Sequence, residues 1–297
     1  MKTVTKSSDL VTSKDATISG FSWQAEQKLE KSSAYINDAE HFCSKANNIH
    51  SIDDIRKDSR LTSFVIAACM LSQKSLNHLD IDTQNEIIEN LIDFEKLQDT
   101  DYLRELVNRY CLTSGDSLGG SMRNLVGQTA QIKLTNSIVQ RLQTHGVEFQ
   151  TEVSKSSGKI TEIAWEDKRI FFDKTPSFIK KSIDIIVVNG ESAKHSSLND
   201  PSDFLCCGEL KGGIDPAGAD EHWKTAKTAL ERIHTVFTDA KVEQPKLIFI
   251  GTAIEKSMSG EIFKLLEQEW LTGAANTNYD NQVEEIVDII LHISEDE

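Results

Sequence analysis

The run Ile183-Asp184-Ile185-Ile186-Val187-Val188 constrains the fold more than any other stretch of the chain. Its β-branched side chains are stiff and favour extended backbone. Its apolar residues follow one another instead of alternating with polar ones, the mark of a central strand buried on both faces. Phe204–Lys211 reads as a second strand, and Lys246–Gly251 (KLIFIG) as a third apolar one. Pro216–Ala240 between them reads as a helix, as do Glu261–Trp270 and Val283–Ile293. Val147–Val153, Ile160–Trp165 and Ile170–Asp173 are shorter runs with strand alternation. The expectation is an α/β fold, a mixed β-sheet flanked by helices.

The chain ahead of these strands reads as helical. No proline occurs before Pro176, which suits long uninterrupted helices. Phe21–Asn47 is polar with apolar marks at helical spacing. Leu61–Leu71 (LTSFVIAACML) is nearly all apolar and suits a buried helix. Ile87–Phe94 and Tyr102–Tyr110 continue the pattern. Serine, glycine and aspartate cluster at 112–121 (LTSGDSLGGS), so a break is expected there. Met122–Leu142 then reads as a long helix, closed by the His145-Gly146 capping signal. The division expected is a flexible polar leader over 1–20, an all-α N-terminal region over 21–113 and an α/β domain over 114–297. No internal repeat interrupts it.

No apolar run approaches the ~20 residues of a membrane span. The first residues, MKTVTKSSDLVTSKDATISG, carry no apolar signal core. Five cysteines without a C-x-x-C pair fit a reducing, cytoplasmic setting, and the adjacent Cys206 and Cys207 read as core thiols. A net charge of −15 speaks at first against a nucleic-acid partner. Its location matters more than its total. Residues 78–106 carry nine acidic and two basic residues, and 276–297 carry seven acidic and none basic, which accounts for nearly all of it. A basic face around Arg123, Lys180, Lys181, Lys211, Lys224 and Lys227 therefore remains open, against the plainer alternative of scattered solvated charges.

The chemistry gathers at 208–226, G-E-L-K-G-G-I-D-P-A-G-A-D-E-H-W-K-T-A. Alternate residues of a strand point the same way, so Glu209 and Lys211 face together while Leu210 turns into the core. Asp184, on a neighbouring strand, would complete a set of two carboxylates, one ammonium and the Leu210 carbonyl. Carboxylate and carbonyl oxygens are hard ligands that suit Mg²⁺. Such a site suits phosphodiester hydrolysis. The alternative is a strand-edge salt bridge between Glu209 and Lys211. The glycines that follow allow a ligand to approach the backbone, and Asp215-Pro216 forms a plausible cap for the next helix. No G-x-x-x-x-G-K-[ST] loop, G-x-S-x-G elbow or H-E-x-x-H pair is present. Trp165, Trp223 and Trp270 read as core residues.

Asp184…Glu209-x-Lys211 resembles the PD-(D/E)xK nuclease signature. The longer stretch ELKGGIDPAGADEHWKTA, with KKSIDIIVV and GDSLGGSMRNLVGQTAQIKL, resembles type II restriction endonucleases, most closely the AvaI/BsoBI group. The resemblance covers roughly residues 115–250; Ile183 stands where the signature has proline. It implies a restriction-endonuclease-like core, Mg²⁺ held by Asp184, Glu209 and the Leu210 carbonyl, and Lys211 beside the nucleophile. It implies that His222 acts near the scissile phosphate, and that Lys181 and Asp215 read base edges. For each, a plain role competes: a hydrogen-bonded helix residue, a solvated lysine, a helix cap. The implied protein is a homodimer cutting both strands of a palindromic double-stranded DNA site, CYCGRG for a close member of the group, with the N-terminal helices clasping DNA or forming the dimer. Another nuclease of this superfamily, for repair or junction cleavage, and a non-catalytic DNA-binding protein are the alternatives.

Overall fold

The computed structural model describes residues 2–292, the side chain of Gln73 excepted. It resolves into two compact units. One is Ser22–Asn124; the other joins the residues up to Phe21 with those from Leu125 onward. Both boundaries fall inside helices.

The helical unit draws on α1 (Lys14–Lys45), α2 (Ile52–Arg56), α3 (Ser59–Ala68), α4 (Gln73–Leu76), α5 (Ile81–Leu91) and α6 (Thr100–Thr144). Its core stacks Phe42 on Phe64 with ring centroids 4.0 Å apart and Phe64 on Tyr110 at 4.5 Å. Aspartates start α3 and α5: Asp58 accepts from the backbone N–H groups of Arg60 and Leu61, and Asp80 from that of Thr83.

The other unit is built on one sheet. Among the described residues it has seven strands in the order β1-β2-β3-β4-β5-β6-β7. These are β1 (Phe149–Val153), β2 (Ile160–Trp165), β3 (Lys168–Lys174), β4 (Ile183–Val188), β5 (Phe204–Lys211), β6 (Lys246–Gly251) and β7 (Gly273–Asn276). The first five run antiparallel to their neighbours; β6 and β7 add on in parallel. The helices are α7 (Gly190–Lys194), α8 (Pro216–Ala240), α9 (Lys256–Glu267) and α10 (Asp280–Leu291), with the later turns of α6. Val188, Ile186 and Cys207 pack with Trp223, Leu230 and Ile262 on one face. Ile185, Val187 and Cys206 pack with Leu134, Ile138 and Ile286 on the other. The mixed sheet flanked by helices, and the doubly buried β4, are as the sequence leads one to expect.

Three expectations are corrected. The serine–glycine cluster at 112–121 does not break the chain, because α6 runs through it. Each helical glycine costs about 1 kcal/mol relative to alanine, but the helix is anchored on both sides of the cluster by buried Tyr110, Met122 and Val126. Residues 2–20, the described part of the expected leader, are not a flexible one. Leu10 is fully buried, and the carbonyls of Asp9, Leu10 and Val11 accept hydrogen bonds from Gln282, Asn276 and Tyr279 at 2.8, 2.9 and 2.7 Å. Polar side chains there marked exposure, but the backbone groups found buried partners. The sheet-bearing unit accordingly takes in the described residues up to Phe21, which a division by contiguous ranges misses. The end of the helix expected over 283–293 and the tail to 297 lie partly outside the described residues.

Candidate functional site

The β4–β5 register pairs Ile185 with Gly208 and Ile186 with Cys207. Continued by one step, it sets Asp184 across from Glu209. Cross-strand neighbours share a face, and here they also share a cation. Lys211 Nζ donates to Asp184 Oδ2 at 2.9 Å and to Glu209 Oε2 at 2.6 Å. The backbone N–H of Leu210 donates to the same Asp184 oxygen at 2.8 Å. The side chain of Leu210 packs into the opposite core face, as the strand alternation requires.

Glu209 is only 3% exposed, yet its Oε1 has no hydrogen-bond partner among the described residues. Burial, and then the Asp184 charge, raise its pKa to about 7. Burial would lower that of Lys211, but the charges of Asp184 and Glu209 outweigh it and hold the ammonium above its usual range. The cluster is therefore an ion triad short of positive charge, with one buried carboxylate oxygen unpaired. Such an oxygen costs about 1–3 kcal/mol when nothing binds it.

The glycine-rich loop sets the triad's surroundings. A Cβ on Gly212 would come within 2.8 Å of Gly127 Cα and 2.9 Å of the Val126 carbonyl, so only glycine lets the end of β5 lie against α6. Asp215 caps α8 through Ala217 N–H at 3.0 Å, with Pro216 at the first helical position. Nearly two turns later the exposed ring of His222 lies over Gly213, without a hydrogen-bond partner among the described residues. Lys180 and Lys181 are exposed on the turn between β3 and β4, without ion pairs among the described residues, and Lys180 is left-handed at φ 59°.

The rest of the expected basic face is not free. Lys224 pairs with Asp220 and Glu221, and Lys227 with Glu261 at 2.8 Å. Arg123 is exposed and belongs to the Ser22–Asn124 unit. Cys206, Cys207, Trp165 and Trp223 are buried, as expected of core residues. One acidic residue went unnoticed in the sequence: Asp173, the exposed sixth residue of β3, lies in the row that contains Asp184. At the end of a strand pattern it looks like any polar terminus. Among the described residues, no three His, Cys, Asp or Glu side chains converge on one point as a closed metal cage.

The family profile described as restriction endonuclease BsobI matches residues 1–293. This chain belongs to that restriction endonuclease family. It is 35% identical to the type II restriction enzyme BsoBI of Geobacillus stearothermophilus, with 96% of this chain and 95% of the relative covered. It is 32% identical to the type II restriction enzymes AvaI of a Nostoc strain and of Anabaena variabilis, with 93% of each chain covered. The restriction endonuclease expected from ELKGGIDPAGADEHWKTA is thus the family to which the whole chain belongs, and its class of activity is that of a site-specific deoxyribonuclease. No helix among the described residues is long and apolar enough to cross a membrane.

Proposed function

We propose that the chain cuts both strands of a short palindromic site in double-stranded DNA, as a Mg²⁺-dependent homodimer working in the cytoplasm. The observation that carries this reading is the unpaired Glu209 Oε1 beside Asp184 and Lys211. The donor set fits Mg²⁺: two carboxylates and the Leu210 carbonyl are hard oxygens, and an open set of few protein ligands suits an ion that keeps several waters. When bound, the ion lowers the pKa of a coordinated water and offsets charge on the phosphate.

The protein's own groups have separable tasks. Asp184 and Glu209 hold the cation. Lys211, an ammonium placed between them, orients the attacking water and answers the negative charge that grows on the phosphate. His222, solvent-reachable and unpaired among the described residues, accepts the proton of that water or holds it in line. Lys181 donates to guanine and Asp215 accepts from cytosine N4 in the major groove, while Lys180 and Arg123 contact phosphates. A palindrome asks for a two-fold dimer, each site serving one strand. The N-terminal helical unit clasps the duplex or joins the protomers. The target proposed from the group is CYCGRG.

Digesting a mapped plasmid with Mg²⁺ and sequencing the ends tests the reading. Discrete fragments with uniform ends at CYCGRG are expected. Nicking at branched junctions alone would favour the repair or junction-cleaving alternative, and Mg²⁺-independent binding without cuts a non-catalytic one.

A further inference from the structure

The triad's row across the sheet has a further member. Phe172 pairs with Ile185 and Lys174 with Ile183, which places Asp173 opposite Asp184. Asp173, Asp184 and Glu209 thus occupy one row on the adjacent strands β3, β4 and β5. Asp173 has a left-handed backbone at φ 54°, inside a strand whose register does not slip around it. A non-glycine residue in that region costs on the order of 1–3 kcal/mol, and nothing in the β3–β4 pairing needs it.

The surroundings of Asp173 are also specific. The amide of Gln131, buried on α6, faces its carboxylate. The other end of that amide accepts from Lys159 Nζ at 3.1 Å. Lys159 and Lys211 are the cations near it, and Asp184 is the neighbouring anion. A buried glutamine held at one end by Lys159 is a fixed support, and the carboxylate beside it stays solvent-reachable. Alone, a row of acids would carry little. The buried, unpaired Glu209 Oε1 shows independently that this row is built for a ligand not supplied by the chain. The three carboxylates do not close around a single point, so Asp173 stands outside the direct reach of an ion held by Asp184 and Glu209.

We infer that Asp173, steadied by Gln131, is a positioning carboxylate for that cation, accepting hydrogen bonds from its hydration water. The inference rests on the metal-site reading above. Outer-shell groups of this kind change metal affinity by roughly 10–100-fold.

The test uses the full-length protein and Mn²⁺ as probe, with binding read by water-proton relaxation. Asp173→Asn should raise the Mn²⁺ Kd about 10–100-fold. Gln131→Met should raise it by less, and the metal-free melting temperature of Asp173→Asn should not fall. Glu209→Ala should lose the site. Wild-type Mn²⁺ affinity in Asp173→Asn, with Glu209→Ala defective, overturns the inference and leaves the metal site standing. Wild-type affinity in both variants overturns the two together. A lower melting temperature for Asp173→Asn, with wild-type Mn²⁺ affinity in Gln131→Met, makes Asp173 structural and also overturns it.

Discussion

A Cβ placed on Gly213 would stand 2.6 Å from Nε2 of His222 and 2.9 Å from its Cδ2. The loop and the helix are thus fitted to each other at the one histidine the proposed chemistry uses. Gly213→Ala must push the ring aside while leaving Asp184, Glu209 and Lys211 in place. It should slow single-turnover cleavage as His222→Ala does, by roughly 10²–10⁴-fold, the usual size of general acid–base contributions. The double variant should be no slower than His222→Ala, because both changes remove one function. Additive losses would separate the loop from the histidine.

Asp215 has a visible structural role and a proposed recognition role. Asparagine caps helices as well as aspartate does, so Asp215→Asn should melt like the wild type. It should still lose about 1–3 kcal/mol of discrimination between cognate and single-mismatch duplexes. Asp215→Ala should lose the cap too, about 0.5–2 kcal/mol of stability. Lys181→Ala should cost discrimination alone. Equilibrium binding at one stated salt concentration and thermal melts check all three. Unchanged discrimination in Asp215→Asn would leave the cap as its whole role.

The site and the fold were legible to different depths. Ile183–Val188 declared itself because burial on both faces leaves only apolar residues to choose from. Glu209 and Lys211 declared themselves because strand alternation puts i and i+2 together, and the register then delivers Asp184. The break expected at 112–121 failed because packing at Tyr110 and Met122 overrides weak local propensity. β7 (GAAN) was invisible, its small residues having little strand preference of their own. The pairing of Lys224 with Asp220 arises from helix spacing, that of Lys227 with Glu261 from the packing of α8 beside α9, and the place of Asp173 in the row from strand register, which no short motif encodes.

The raised pKa of Glu209 gives the metal-free protein a defined pH dependence. Burial and Asp184 lift it from 4.5 to about 7. A carboxyl raised on folding contributes stability that is whole below its unfolded pKa and is lost as pH climbs through the folded one. Stability in a chelator should therefore fall from about pH 4.5 to about 7. Glu209→Gln should flatten that slope, and a divalent cation should restore stability to the wild type alone. Melting temperature against pH, with and without chelator, measures it. An equal slope in both proteins would contradict the burial argument.

A palindromic cut by paired sites requires two protomers. Sedimentation equilibrium should show a dimer with and without duplex DNA. A strict monomer on its cognate duplex would rule out the two-fold arrangement.

The most direct test of the central claim is single-turnover cleavage of a CYCGRG duplex by Glu209→Ala across a Mg²⁺ range, with equilibrium binding measured beside it. The proposed site requires that cleavage be abolished at every Mg²⁺ concentration. Specific binding should survive or tighten, since a negative charge near phosphate is removed. Cleavage at the wild-type rate would contradict the assignment of Asp184, Glu209 and Lys211 as the catalytic centre.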